Sequence, residues 1–297
     1  MHFYPEELIK SISHKAQQFR IQVLKMVYEA QTGHIGGAFS CAEIIAALFN
    51  YYLNIDPLNP AWPKRDRLLF SKGHACAMLY TAMADKGFFP QDELRTFRKF
   101  NSRLQGHPDR LKLPGIEISA GPLGHGIAIG VGIALGVRKH YGEKLPNLND
   151  PINRSSLPKV YIILGDGEIN AGIIWEGAMI ASKFGLGNII AILDNNGVQQ
   201  TGSTTHVMPT EPIIEKWKSF GWHTQEIHGH NIREILYSLD RANEIYNRPS
   251  IIIARTTKGK GVSFMEDNPI WHGTPPNEEQ YKIALKELEE GLRQWQN

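Results

Sequence analysis

Residues 160–167 read VYIILGDG, and residues 188–197 read NIIAILDNNG. Each stretch begins with an apolar run of strand length and ends in small polar residues. Between them, residues 172–184 have the length of a helix and space Trp175, Met179 and Ile180 as a helix packed on a sheet does. The pattern predicts a βαβ unit, in which the two strands run parallel.

Both strands of this predicted unit end in residues that suit an ion site. Asp166 follows the first strand and Asn196 the second, and open α/β sheets bind ligands at this carboxyl edge. Mg²⁺ prefers oxygen ligands and is usually shared with phosphates. Gly165 and Gly167 lack Cβ atoms, which allows the backbone to approach an anion closely. Either motif alone would be an ordinary turn, but their pairing predicts a Mg²⁺ and diphosphate site, which we interpret as a thiamine diphosphate site.

Apolar runs and helical patterns alternate along the rest of the chain. Helices are predicted at about 5–30, 41–53, 73–86, 90–99, 121–140, 209–220, 232–245 and 277–295, and further strands at 66–71, 222–227 and 250–254. Such alternation predicts an α/β fold with a doubly wound, mostly parallel sheet and helices on both faces. Residues 141–159 are rich in Pro, Asn and Ser, which indicates a surface loop. Because the apolar runs on both sides belong to one sheet, we expect a single domain over residues 1–297.

The composition argues against several classes of protein. The 297 residues include 32 Lys and Arg against 30 Asp and Glu, so no basic stripe for nucleic acid or a membrane surface is expected. Only Cys41 and Cys76 are present and no secretory start precedes them, which predicts a cytoplasmic protein rather than a secreted disulfide scaffold. The apolar stretch at 121–137 is shorter than the roughly 20 residues that span a bilayer. We expect neither a nucleic-acid nor a membrane partner.

Further motifs make the chain similar to one known family. They are TGHIGG at 32–37, SKGHA at 71–75, GHP at 106–108, GPLGHG at 121–126 and WHGTP at 271–275. Together with GDG and NNG, in this order, they resemble the N-terminal, diphosphate-binding half of a transketolase over nearly the whole chain. The resemblance implies the thiamine-diphosphate-binding fold of the family's diphosphate-binding (PP) domain. It also implies transfer of a two-carbon ketol unit from a ketose phosphate to an aldose phosphate.

The roles of particular residues follow from this resemblance. It implies that Mg²⁺ is held by Asp166, Asn196 and the carbonyl of Val198. The residues implied for thiamine diphosphate are His74, Gly121, Leu123, Gly165, Gly167, Asn196 and His272. The residues implied for catalysis in the substrate channel are His34, His107 and His272. Imidazole suits that place, because near neutral pH it can donate to an alkoxide or accept a hydroxyl proton.

Two positions depart from the family pattern. His125 stands where the family usually has glutamine, and Ala171 stands where transketolases usually carry a glutamate of an acidic network between two active sites. Glu176, at the matching later position, is retained. Alanine at position 171 also resembles the related synthase that condenses pyruvate with glyceraldehyde phosphate, 1-deoxyxylulose-5-phosphate synthase, so a subunit of that kind is the nearest alternative. A non-catalytic cofactor-binding module is the other, although the metal ligands and histidines argue against it.

The resemblance finally implies a partner. In this superfamily a pyrimidine-binding domain provides the glutamate that promotes deprotonation of the cofactor, and nothing after the last predicted strand is long enough to encode it. We therefore expect the pyrimidine and C-terminal domains on a separate chain, with two copies of each subunit forming a heterotetramer. The expected substrates are sugar phosphates, as in the pentose phosphate pathway.

Overall fold

The computed structural model describes residues 4–142 and 157–295. These residues form one five-stranded sheet in which every pair of neighbours is parallel. Its strands are β1 (Arg67–Phe70), β2 (Val160–Gly165), β3 (Ile189–Asn195), β4 (His223–His228) and β5 (Ser250–Arg255), in the spatial order β1-β2-β3-β5-β4. The predicted α/β fold is confirmed. The predicted loop at 141–159 lies mostly outside the described residues.

The helices cover both faces of this sheet. They are α1 (Glu6–Ala30), α2 (Ile35–Ser40), α3 (Ala42–Ala47), α4 (Cys76–Lys86), α5 (His125–Gly142), α6 (Gly172–Lys183), α7 (Thr204–Val207), α8 (Ile213–Ser219), α9 (Ile232–Glu244) and α10 (Glu278–Arg293). Helix α3 continues as a π-helical turn, Leu48–Tyr52, and short 3₁₀ turns lie at Gly73–Ala75, Gln91–Thr96, Gly167–Asn170 and Pro269–His272. Within the described ranges, no helix has the length and apolarity needed to cross a membrane.

The central strands β2 and β3 are buried along almost their whole length, which explains why they read as continuous apolar runs. Their side chains alternate between two cores. Tyr161 and Ile163 pack with residues of α1, α3, α4 and α9 on one face. Ile162 and Leu164 pack with residues of α5, α6 and α8 on the other. The register pairs Gly165 with Asp194, so the two strands end side by side and their following loops meet.

Three predicted helices are wrong in extent, each for a local backbone reason. The helix predicted at 90–99 is only the 3₁₀ turn Gln91–Thr96, because Phe97 leaves helical backbone with a ψ of 125° and Arg98 then takes a left-handed φ of 57°. The helix predicted from residue 121 begins at His125, because Gly124 has φ 86° and residues before it form a turn. The helix predicted at 209–220 begins only at Ile213, since the prolines before it disfavour helical backbone.

The sequence predicts no helix between residues 30 and 41, which leaves the glycine-rich motif around His34 as a turn, and in the structure this turn is shorter. Residues 31–34 form the turn, and α2 begins immediately after it at Ile35. The helix predicted at 41–53 follows α2 and consists of α3 with its π-helical continuation. His34 is thus fixed at the start of a buried helix rather than in an open loop, which restrains its ring.

Candidate cofactor and substrate site

A cavity of about 350 Å³ lies at the carboxyl edge of β2 and β3. It collects residues from every motif singled out in the sequence. Ten of the eleven predicted site residues line it: His74, His107, Gly121, Leu123, Gly165, Asp166, Gly167, Asn196, Val198 and His272. The eleventh, His34, does not line it directly but packs its ring against those of His74 and His272.

Asp166 is a buried carboxylate on the cavity wall, with 3% of its surface exposed. Its Oδ1 accepts from the amide of Gly167 at 2.8 Å, and its Oδ2 accepts from the amide of Gly197 at 2.6 Å. Burial, together with the negative charge of Asp194, raises the pKa of Asp166 to about 6 in spite of these hydrogen bonds. No ion pair among the described residues includes Asp166, so this carboxylate has room for a cation.

The loop after β3 brings two more oxygen atoms to the same cavity. Asn196 Oδ1 accepts from the amide of Val198 at 3.1 Å, which closes a tight turn. The Asn196 side chain and Val198 both line the cavity that Asp166 lines. Among the described residues, no group of three or more His, Cys, Asp and Glu is placed to hold a metal ion. A carboxylate, an amide oxygen and a carbonyl nevertheless fit a hard cation that keeps some ligands for water and phosphate.

Lys72 and Asp194 form a buried ion pair at the base of the cavity, which the motifs alone did not reveal. Asp194 is fully buried and also accepts hydrogen bonds from the hydroxyls of Ser40 and Thr256. Burial alone would raise the pKa of Asp194, but Lys72 and these donors lower it overall. Lys72 belongs to the SKGHA motif and Asp194 directly precedes NNG, so their place at the same strand edge was the available signal.

Glu168 is a second buried acid that sequence reasoning missed. Its carboxylate accepts from the hydroxyl of Ser71, from the amide of Gly124 at 2.7 Å and from the amide of Gly165 at 2.9 Å. One side chain therefore ties together the SKGHA, GPLGHG and GDG motifs. Ala171 is half-buried and Glu176 is exposed, so Glu168 is the acid of this segment that is built into the fold.

Four predicted histidines form one cluster beside the cavity. The ring centroid of His34 lies 5.2 Å from that of His74, 5.3 Å from that of His272 and 6.4 Å from that of His107. Burial and nearby positive charges lower the pKa of His34 and of His272 to about 4. The pKa values of His74 and His107 are lowered by the same causes. These rings are neutral at pH 7, and each offers one donor and one acceptor nitrogen.

Lys258 joins the loop after β3 to the histidine cluster and was also missed. Its Nζ donates to the carbonyls of Val198 and Gln199, both at 3.3 Å, and lies 2.9 Å from Nδ1 of His272. The ammonium has only donors, so His272 Nδ1 accepts and its proton is placed on Nε2. With Lys72, this side chain brings a second positive charge to a cavity that we expect to bind a diphosphate.

Large apolar side chains are exposed on one lining residue of the cavity and on the neighbouring helices α5 and α6. Leu123 is 44% exposed, and Ile129, Met179 and Ile180 on α5 and α6 are also exposed. His125, which replaces the usual glutamine, is exposed here too, and its Nδ1 lies 3.4 Å from the carbonyl of Leu123. An exposed group of large apolar side chains is typical of a surface that contacts another protein.

Comparison with known proteins identifies the family. A family model described as "Transketolase, thiamine diphosphate binding domain" matches residues 12–291. The chain is 40% identical to the 6-deoxy-6-sulfo-D-fructose transketolase subunit of Clostridium sp. (strain MSTE9), covering 94% of this chain and 96% of that subunit. It is 35% identical to one subunit of the apulose-4-phosphate transketolase of Phocaeicola vulgatus, covering 96% of both.

Solved structures agree. The transketolase of Campylobacter jejuni superposes with a TM-score of 0.84 at 31% identity, covering 96% of this chain and 45% of that one. A transketolase mutant of Pichia stipitis in complex with fructose 6-phosphate gives 0.84 at 30% identity and 44% coverage of its chain. The present chain thus spans less than half the length of these enzymes. The fold and the transketolase subunit predicted from the motifs are confirmed, and the chain belongs to the family of transketolase thiamine-diphosphate-binding domains.

Proposed function

We propose that this chain is the diphosphate-binding half of a two-chain transketolase, which moves a two-carbon ketol unit from a ketose phosphate to an aldose phosphate. The observation that carries the proposal is the single cavity at the carboxyl edge of β2 and β3, lined by ten of the eleven residues predicted from the motifs. Relatives of similar length that are named as transketolase subunits support it.

The cavity wall formed by Asp166, Asn196 and Val198 is the proposed Mg²⁺ site. A cation here would offset the like charges of Asp166 and Asp194, whose proximity raises the pKa of Asp166. Gly165 and Gly167 leave room on the same wall for the diphosphate, and His74 is placed to donate to it. When bound, thiamine diphosphate supplies a carbanion equivalent at its thiazolium C2, while the protein supplies binding and orientation. Gly121 and Leu123 form the less polar part of the wall, which suits the cofactor's rings.

His34, His107 and His272 are the proposed groups for the sugar. As neutral imidazoles, His34 and His272 can donate to a developing alkoxide through Nε2–H, because their Nδ1 atoms accept from Arg98 and Lys258, while His107 can either donate or accept a hydroxyl proton. The Lys258 ammonium beside His272 Nδ1 leaves Nε2–H as the donor of that ring. Since four rings crowd one side of the cavity, they also exclude water from the place where the sugar oxygens would lie.

The proposed partner is a second chain that carries the pyrimidine-binding and C-terminal domains, with two copies of each subunit in the complex. The names of the relatives as subunits support a partner, as does the coverage of less than half of the longer transketolases. The exposed apolar group of Leu123, Ile129, Met179 and Ile180 is the proposed contact surface. Cys41 and Cys76 are both free, buried thiols, which supports the proposed location in a reducing cytoplasm.

One observation favours a second candidate, a subunit of a decarboxylating thiamine diphosphate synthase. Ala171 lies where a transketolase usually carries a glutamate, and the later Glu176 is exposed. A synthase of this kind would take pyruvate as donor instead of a ketose phosphate. Both candidates use the same proposed metal and diphosphate site, so the donor distinguishes them.

The test is a coupled assay of the purified chain, alone and mixed with the candidate partner chain. Ribose 5-phosphate is the acceptor for the sugar donors, which are xylulose 5-phosphate and the compounds in the names of the relatives, apulose 4-phosphate and 6-deoxy-6-sulfo-D-fructose. Pyruvate is tested as donor with glyceraldehyde 3-phosphate as acceptor. We expect ketol transfer only from the mixture and only with Mg²⁺ and thiamine diphosphate. Full activity of this chain alone would refute the two-chain proposal, and release of CO₂ from pyruvate would favour the synthase.

A further inference from the structure

Arg98 lies behind the histidine cluster and does not line the cavity itself. It follows the 3₁₀ turn Gln91–Thr96 and has a left-handed φ of 57°, which residues other than glycine seldom adopt. Its amide donates to the carbonyl of Leu104 at 3.0 Å, so the turn is closed by the loop that leads to His107. Unfavourable backbone held in place by surrounding structure is common where a side chain must be aimed.

The guanidinium of Arg98 connects the two segments that carry His34 and His107. Nη1 donates to the hydroxyl of Thr32 at 3.0 Å, two residues before His34. Nη2 donates to the carbonyl of Gly106 at 3.1 Å, one residue before His107. Gly106 allows this approach, because an added Cβ would lie 3.1 Å from the guanidinium carbon. One rigid, planar group thus sets the distance between two loops that are far apart in sequence.

The same Nη2 lies 3.4 Å from Nδ1 of His34. Arginine has only donors and stays charged, so His34 Nδ1 must accept and the ring proton must be on Nε2. The Nε2 edge of the ring faces Gly273, where an added Cβ would lie 3.8 Å from it. Arg98 therefore selects both the tautomer of His34 and the direction in which its remaining N–H points.

We propose that Arg98 is a positioning residue: it holds His34 as the Nε2–H tautomer and fixes its distance from His107. This inference rests on the proposed function in so far as these histidines serve ketol transfer. The electrostatics agree with it. Burial and then Arg98 lower the pKa of both His34 and His107. The other charged or titratable groups that face His34 are His107 itself, Lys258, His74 and His272, and none of the last three can supply the bridge to the His107 loop.

The direct test is nuclear magnetic resonance of the full chain labelled with ¹⁵N-histidine, in which the His34 signals are assigned with His34→Gln. Wild type should show the Nε2–H tautomer and no protonation of His34 above about pH 5, given a pKa of about 4. Arg98→Met should mix the tautomers and raise the titration midpoint, because it removes both the donor and the positive charge. Arg98→Lys should keep the low midpoint but still mix the tautomers, since it keeps the charge without the planar fork.

Arg103→Met is the matched control, because Arg103 lies in the same loop but pairs with Glu93 at the surface. It should leave the His34 signals unchanged. An unchanged tautomer and midpoint in Arg98→Met would overturn the inference, and so would equal changes in the Arg103 control. If Arg98→Met does not fold, Thr32→Val removes one anchor of the guanidinium. Unaltered His34 signals in both Thr32→Val and Arg98→Lys would then overturn it.

A second measurement separates this inference from the proposed function. In the complex with the partner chain, Arg98→Lys should lower kcat by about tenfold or more, with unchanged affinity for thiamine diphosphate. The effect should be smaller than the roughly 100-fold or more that loss of a proton-transfer group costs, because His34 is misplaced and not removed. Unchanged kcat would overturn the positioning role. If the wild-type complex transfers no ketol unit while the resonance results hold, the proposed function fails and the role of Arg98 in fixing His34 stands.

Discussion

The ends of β2 and β3 place two buried aspartates on one cavity, but only one of them forms an ion pair among the described residues. Asp194, at the end of β3, is paired with Lys72 and accepts from two hydroxyls, and its pKa is lowered overall. Asp166, just after β2, accepts mainly from backbone amides, and burial raises its pKa to about 6. The two carboxylates have the same chemistry and line the same cavity, but their pKa values are shifted in opposite directions.

This difference indicates which of the two carboxylates stabilises the fold and which is available to a ligand. A buried carboxylate that is fully paired braces the fold, because removing it would leave its buried partner uncompensated. A buried carboxylate whose charge is only partly offset, as that of Asp166 is by Lys258, costs stability in the free protein, and that cost is recovered when a cation binds. We therefore assign Asp194 to the framework of the cavity and Asp166 to the proposed metal. The substitutions below test this division.

The largest effect should come from Asp166→Asn. It removes the only negative charge among the proposed metal ligands, so Mg²⁺-dependent affinity for thiamine diphosphate should fall at least about 100-fold, beyond what loss of an outer ligand contact causes. The free energy of unfolding should fall by no more than about 1–3 kcal/mol, because one of the amides of Gly167 and Gly197 loses its acceptor while the repulsion from Asp194 is removed. Calorimetric titration and urea unfolding measure the two quantities. Wild-type cofactor affinity in the variant would rule out the proposed metal site.

Asp194→Asn should show the opposite profile. It leaves the ammonium of Lys72, which is 2% exposed, without its counterion, and the free energy of unfolding should fall by about 3–5 kcal/mol. Asp85→Asn is the control, since its ion pair with Lys15 is partly exposed and should be worth less than about 1 kcal/mol. Urea unfolding of the three proteins is the measurement. Equal stability of wild type and Asp194→Asn would contradict the bracing role.

The histidines extend the comparison from the fold to the chemistry. His107→Ala and His272→Ala should lower turnover of the complex by about 100-fold, more than they lower cofactor affinity, because a lost proton-transfer group costs roughly that much. His74→Ala should reduce both, since we place it against the diphosphate. His228→Ala, an exposed histidine at the end of β4, is the control. The measurement is steady-state kinetics at saturating cofactor. Wild-type turnover in both His107→Ala and His272→Ala would show that these histidines do not act on the sugar.

The smallest expected effect concerns pH. Folded His34 and His272 have pKa values of about 4 against an ordinary 6.5, so between these limits the unfolded chain binds more protons than the folded one. Their contribution to stability is therefore lost as the pH falls from about 6.5 towards 4. A His34→Gln and His272→Gln double variant should show a flatter fall than wild type. Urea unfolding of both proteins at pH 7 and pH 5 is the measurement. An equal fall in the free energy of unfolding in wild type and in the double variant would count against this prediction.

The sequence predicted the parts of the site that depend on local pattern and strand ends. Asp166 and Asn196 could be placed together because parallel strands end at a common edge, and the histidines followed from the motifs that resemble the family. The contacts of Lys72, Lys258 and Arg98 could not be predicted from local pattern. Their partners Asp194, Val198 and Thr32 are 122, 60 and 66 residues away along the chain. Pairings of this kind are fixed by tertiary packing, on which periodicity carries no information.

In the fold, too, features set by local pattern were predicted better than features set by single residues or remote contacts. Strands β2, β3 and β5 were predicted closely, because burial on both faces makes each a continuous apolar run. Helix ends were predicted less well, since single residues decide them. The left-handed φ of Arg98 could not be predicted, because the residues that hold its side chain lie outside the turn. Thr32 is far away along the chain, and Gly106 follows the turn.

The measurement that tests the central claim most directly is a crystal structure of this chain grown with thiamine diphosphate and Mn²⁺ in place of Mg²⁺. The anomalous signal of Mn²⁺ locates the metal independently of any assumption about ligands. We predict one peak bonded to the Asp166 carboxylate, the Asn196 amide oxygen and the Val198 carbonyl, with the diphosphate completing its coordination. A peak bonded to Asp194 instead, or a bound cofactor with no metal at Asp166, would contradict the account.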